Sequence, residues 1–106
     1  MKFGKKEPQG AIALDDAGLG KGASEIARVW IDEGGEVVVL VAAYAMEDPR
    51  AFGHLMADTI RHGARAYAGT WEIDEQAALQ TMIDGFVEEM RDRAANLTTI
   101  QQGSLD

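Results

Sequence analysis

The sequence predicts an α+β fold: an antiparallel β-hairpin packed on one face by two antiparallel helices. Three observations carry that prediction. Two short runs rich in β-branched residues, IARVWID and EVVVLVAA, meet at Gly34-Gly35. The pair Asp48-Pro49 opens a stretch with apolar residues at helical period, and a second such stretch begins at Ile73-Asp74. A chain of 106 residues is the size of one domain.

Ahead of the hairpin, residues 1–24 form a weakly patterned segment. Lys, Gly and Pro dominate its first ten positions, and Ala11-Ile12-Ala13-Leu14 either adds an edge strand or stays part of a flexible lead. The stretch Gly18-Leu19-Gly20-Lys21-Gly22 invites a phosphate-loop reading, which fails on spacing. Such a loop needs G-x-x-x-x-G-K-[ST], and Gly22 stands where a hydroxyl should hold magnesium.

The two runs that follow read as strands because a two-residue primed turn needs positive φ at both central positions. With Gly34-Gly35 at the turn, Glu33 faces Glu36, and the pairs are Ile31 with Val38, Val29 with Leu40 and Ala27 with Ala42. That face is wholly apolar and is the expected core side. The opposite face then carries Trp30, Val37, Val39 and Val41, apolar where a solvated sheet shows polar groups. Those four residues are the expected oligomer interface, because monomers seldom leave such a patch in water.

In the first helix, Asp48 is placed to cap and Pro49 to occupy the first turn. Phe52, Leu55, Met56, Ile60, Gly63 and Tyr67 fall towards one side. Arg50, His54, Asp58, Arg61 and Arg65 fall on the other. Gly69-Thr70 is the expected end, leaving Trp71 in the link as a lid on the core. The second helix, with Asp74 and Glu75 at the end where its dipole favours anions, carries Leu79, Met82, Ile83, Phe86, Met90 and Leu97 as its stripe. The domain proper is read as residues 25–97, and 98–106 as a frayed polar tail. Gly53, Gly63 and Gly85 interrupt helices at about 1 kcal/mol each relative to alanine. Gly63, inside the first stripe, is read as a point of close approach.

Composition excludes several functions. No cysteine is present, which removes disulfide scaffolds, thiolate zinc sites and thiol catalysis. The net charge of −8 repels a polyphosphate backbone, so no nucleic-acid partner is expected. No run reaches the ~20 apolar residues of a membrane span, and the first six residues lead into no signal core. No membrane partner and a cytoplasmic location follow as expectations. Residues 48–68 carry Arg50, Arg61 and Arg65 against Asp48 and Asp58, whereas residues 74–97 set only Arg91 and Arg93 against six acids. Segments so charged can attract each other or a second copy.

The blocks ARVWI, EDPRAFG, D-x-x-R-H-x-A-x-AY and L-x-x-M-I-x-x-F-x-x-E, in that order over residues 26–90, resemble an uncharacterised proteobacterial domain-of-unknown-function family of about a hundred residues. Asp58, Arg61, His62, Ala64, Ala66 and Tyr67 fall on the family's helix motif. Asp84 and Met90 depart from it, since the family usually carries Arg and Trp there. The resemblance implies the hairpin-plus-helices fold and is silent on activity.

Chemistry concentrates in residues 54–62, HLMADTIRH. His54 and His62 lie about 12 Å apart along a straight helix, so the two cannot close with Asp58 on one zinc ion. No metal and no cofactor are expected. Asp58 precedes Arg61 by three residues and His62 by four, the spacing of helix-stabilising pairs, and a half-buried His62 donating to Asp58 is the expected state. Ser24 and Ser104 sit in segments too loose to present a nucleophile. Arg61 with Arg65 could clamp an anion, but acids are the commoner partners. The expectation is a small homodimeric binding or interaction module without catalytic activity, whose helical face meets another protein or a small molecule. The alternative is a ligand-binding protein or enzyme in which Arg61 binds an anionic group, His62 moves a proton and Asp58 orients His62.

Overall fold

The computed structural model describes the backbone of residues 8–104 and the side chains of residues 8–92. Residues 1–7, the last two residues of the tail and the side chains of Leu97 and Ser104 lie outside that range. The architecture is α+β and divides into two units, residues 1–45 and 46–106. In order come β1 (Ala27–Ile31), β2 (Val37–Val41), a single 3₁₀ turn (Ala43–Ala45), α1 (Pro49–Trp71) and α2 (Glu75–Ser104). Among the described residues no helix is long and apolar enough to cross a membrane.

The first unit is built on a two-stranded antiparallel sheet. Residues 8–24 contain turns and no strand, so the described Ala11–Leu14 stretch adds none. The hairpin turn differs from the expected one. Asp32, not Glu33, pairs across the turn, and its N–H donates to the Glu36 carbonyl at 2.9 Å. The Asp32 side chain is the reason: Oδ1 accepts from the N–H groups of both Gly34 and Glu36, each at 2.9 Å. That caps a three-residue loop in which only Gly35 takes positive φ, at 85°.

The register therefore moves by one residue, to Ile31↔Val37, Trp30↔Val38, Val29↔Val39, Arg28↔Leu40 and Ala27↔Val41. Because side chains alternate at period two, the shift deals β2 to the opposite faces. Val37, Val39 and Val41 share a face with Ala27, Val29 and Ile31. Trp30 lies on the other, with Val38, Leu40 and Arg28. The expected patch of Trp30 with the three valines is thus split between two faces, each of them largely apolar.

The second unit is a helical hairpin. Asp48 caps α1 as expected, its Oδ1 accepting from the Arg50 N–H at 3.0 Å with Pro49 in the first turn. Gly69-Thr70 does not end the helix. α1 runs on to Trp71, and the reversal falls on Glu72 in the left-handed region (φ 55°, ψ 48°). Gly69 has no such φ. Trp71 is consequently the last helical residue rather than a lid in the link, and it is 68% exposed. Asp74 caps α2, with Oδ2 accepting from the Ala77 N–H at 2.9 Å. α2 continues through the expected boundary at 97 to Ser104.

The seam between the helices rests on small residues. Ala64 and Ala78 are the buried apolar side chains, 1% and 6% exposed. Gly63 faces Met82, and a Cβ built there would lie 3.5 Å from its Cε. Phe52, Leu55, Met56 and Ile60 on α1, with Leu79 and Met82 on α2, are half-buried around this seam. Ile83, Phe86 and Met90, expected in the same stripe, remain exposed.

Candidate functional site

One regular helix carries His54, Asp58, Arg61 and His62, which places all four on its polar side. Arg61 Nη1 lies 3.9 Å from Asp58 Oδ1, and His62 Nδ1 lies 3.9 Å from Asp58 Oδ2. The shorter contact of the histidine is elsewhere: Nδ1 is 2.9 Å from the Asp58 backbone carbonyl. A carbonyl oxygen only accepts, so the contact is a hydrogen bond in the tautomer that carries its proton on Nδ1. His62 is 75% exposed, not half-buried, because the four-residue step back along the helix brings its ring over a turn that faces water. Asp58 is therefore a loose electrostatic neighbour of His62 and not the acceptor that orients it.

Arg65 was the other cation available for an anion clamp with Arg61. Its Nε lies 3.6 Å from Glu75 Oε2, an ion pair between α1 and the first turn of α2. Both arginines thus have acidic neighbours, as the spacing and the charge contrast between the helices suggested. Asp84, on α2, accepts from Gln80 Nε2 at 3.0 Å and is exposed, as is Glu88. Among the described residues no group of three or more His, Asp or Glu side chains gathers as a metal site would require.

Two grooves lie in the first unit. One groove is walled by Glu25, Arg28, Leu40 and Tyr44, with the Arg28 Nε–Glu25 Oε2 ion pair of 2.7 Å at its edge. A second runs along β1, between Ile12 and Leu14 on one side and Ala27, Val29 and Trp30 on the other. Neither is lined by Asp58, Arg61 or His62. Exposed on one helix face, those three residues can pair with one another and with passing ions. A substrate site would need a wall beside them, and neither of the two grooves provides it. The second groove was anticipated only as the edge-strand alternative for Ala11–Leu14: the stretch forms no strand but lines the groove that also contains Ala27, Val29 and Trp30.

Residues 15–94 match the family described as a domain of unknown function, DUF5076, and the chain belongs to that family. No curated protein matches it. A solved structure described as "a putative pyruvate dehydrogenase" from the photosynthetic bacterium Rhodopseudomonas palustrus is similar at 32% identity, over 85% of this chain and 86% of that one, with a TM-score of 0.54.

Proposed function

We propose that this member of the DUF5076 family is a cytoplasmic, homodimeric binding module without catalytic activity of its own. One observation carries the reading: the hairpin is apolar on both faces. Ala27, Val29, Ile31, Val37, Val39 and Val41 form one face without a polar side chain, and Trp30, Val38 and Leu40 dominate the other. A two-stranded sheet is marginal by itself, and one that is apolar on both sides needs a cover on each. A second copy supplies such a cover, and the face of Val37, Val39 and Val41 is the part of the expected interface that the register keeps together.

Support from the helices is of the same kind. Tyr67, Trp71, Phe86 and Met90 are exposed large side chains on an otherwise acidic unit, suited to a protein or small-molecule partner rather than to nucleic acid. The enzyme alternative runs through Asp58, Arg61 and His62 and would need a recess around them. The dehydrogenase name belongs to the Rhodopseudomonas protein.

Sedimentation equilibrium at micromolar concentration tests the proposal. A dimer is expected, and a monomeric protein overturns the reading.

A further inference from the structure

The ladder between β1 and β2 dictates which backbone groups of β2 look away from its partner. Asp32 N–H donates to the Glu36 carbonyl at 2.9 Å at one end, and Ala42 N–H to the Ile26 carbonyl at 2.8 Å at the other. Antiparallel ladders alternate bonded and non-bonded pairs. Between those two ends, Trp30↔Val38 and Arg28↔Leu40 are therefore the bonded pairs. Val29↔Val39, Ile31↔Val37 and Ala27↔Val41 are the non-bonded ones. The N–H and C=O groups of Val37, Val39 and Val41 consequently point out of the free edge of β2.

The two edges of the hairpin are not alike. β1 has residues 10–14 alongside it, forming the groove that reaches Ala27, Val29 and Trp30. β2 borders no such segment in that groove, and all five of its residues are exposed. Its sequence VVVLV has none of the devices that keep an edge from pairing: no charge, no proline, no bulge.

We propose that β2 pairs antiparallel with β2 of a second copy about a two-fold axis at Val39, giving a four-stranded sheet ordered β1-β2-β2-β1. This rests on the homodimer reading above and adds its geometry. The register is self-complementary: Val39 faces its own counterpart, and Val37 faces Val41 of the second copy. Each of these three pairs is of the bonded type, so all six outward groups of each strand find partners. Val37, Val39 and Val41 of both copies then lie on one face, with Ala27, Val29 and Ile31, and the apolar surface doubles as one continuous layer. Any other in-plane register leaves outward groups unpaired or breaks the two-fold symmetry.

Two variants test it. Val39→Pro deletes an N–H that the β1 ladder does not use, so the hairpin keeps its own bonds while the edge loses its central donor. The expected result is a monomer in sedimentation with an unchanged circular dichroism spectrum. The natural absence of cysteine permits a second measurement. Under mild oxidation, Val39→Cys should cross-link to its counterpart, because bonded pairs hold Cα atoms about 5.5 Å apart, within disulfide reach. Val29→Cys should not, as three strand spacings separate the two copies by about 14 Å. If Val39→Pro fails to fold, the cross-linking pair decides alone. A wild-type dimer in which Val39→Cys stays uncross-linked, or Val39→Pro remains dimeric, overturns edge pairing and leaves a face-to-face dimer. A wild-type monomer overturns both proposals.

Discussion

Alanine at Gly63 should stabilise the protein, although the position looks like one reserved for glycine. A glycine inside a helix is worse than alanine by about 1 kcal/mol. That gain is realised only if the new methyl group fits. At Gly63 a Cβ would stand 3.5 Å from Met82 Cε and 3.6 Å from its Sδ, ordinary contact distances, and against the end of a flexible side chain. At Gly53 nothing lies within 4 Å. Both Gly53→Ala and Gly63→Ala should therefore raise stability by about 1 kcal/mol, with Gly63→Ala at least equal to the other because its methyl is sheltered in the seam. The two sites are about 15 Å apart along α1, so their effects should add to about 2 kcal/mol. For a chain of this size that corresponds to roughly 8 °C in Tm. Urea unfolding followed at 222 nm, at one protein concentration, measures it, with an unchanged slope required for the comparison. A fall in midpoint for Gly63→Ala beside a rise for Gly53→Ala would refute the reasoning. It would mean that α1 and α2 approach more closely than the Met82 contact allows.

The turns and caps give further expectations. Glu72→Gly should stabilise by about 0.5–1 kcal/mol, the relief of left-handed backbone at φ 55° less the added freedom of the unfolded chain, read as a rise in Tm. Asp74→Ala should cost about 1 kcal/mol through the lost bond to the Ala77 N–H, whereas Asp58→Ala, whose pairs are exposed and 3.9 Å long, should stay within about 0.5 kcal/mol in the same urea assay. A large loss for Asp58→Ala would revive the site reading. Gly35→Ala should destabilise the hairpin by about 1–2 kcal/mol, since φ of 85° is strained for any side chain, and amide exchange across Val37–Val41 should quicken accordingly. EDTA should leave the Tm unchanged, and elemental analysis should find no stoichiometric zinc. One ion per chain lost in His62→Ala would reverse that reading.

Several features were legible in the chain itself because the groups that cause them are neighbours in sequence. Asp48 with Pro49 makes a helix start from a side chain to backbone bond spanning two residues, and Asp74 at the next start, read from the dipole, also caps it through the Ala77 N–H. Alternating β-branched runs around two glycines make a hairpin, and apolar residues at helical period make its two successors. The ion-pair spacing of Asp58, Arg61 and His62 was readable for the same reason. Other features depended on which distant or competing partner prevailed. Register turned on Asp32 Oδ1 capturing two N–H groups at once, which lengthened the turn and sent Trp30 and the three valines to opposite faces. The end of α1 passed Gly69 because helix geometry persisted until α2 had to turn back at Glu72. Ala64 and Ala78, small enough to vanish from a hydrophobic stripe on paper, are the buried apolar residues among those described, because small side chains let helix backbones approach. His62 took the carbonyl of Asp58 over its carboxylate, a choice between acceptors on one residue that spacing alone does not rank and that three-dimensional geometry does.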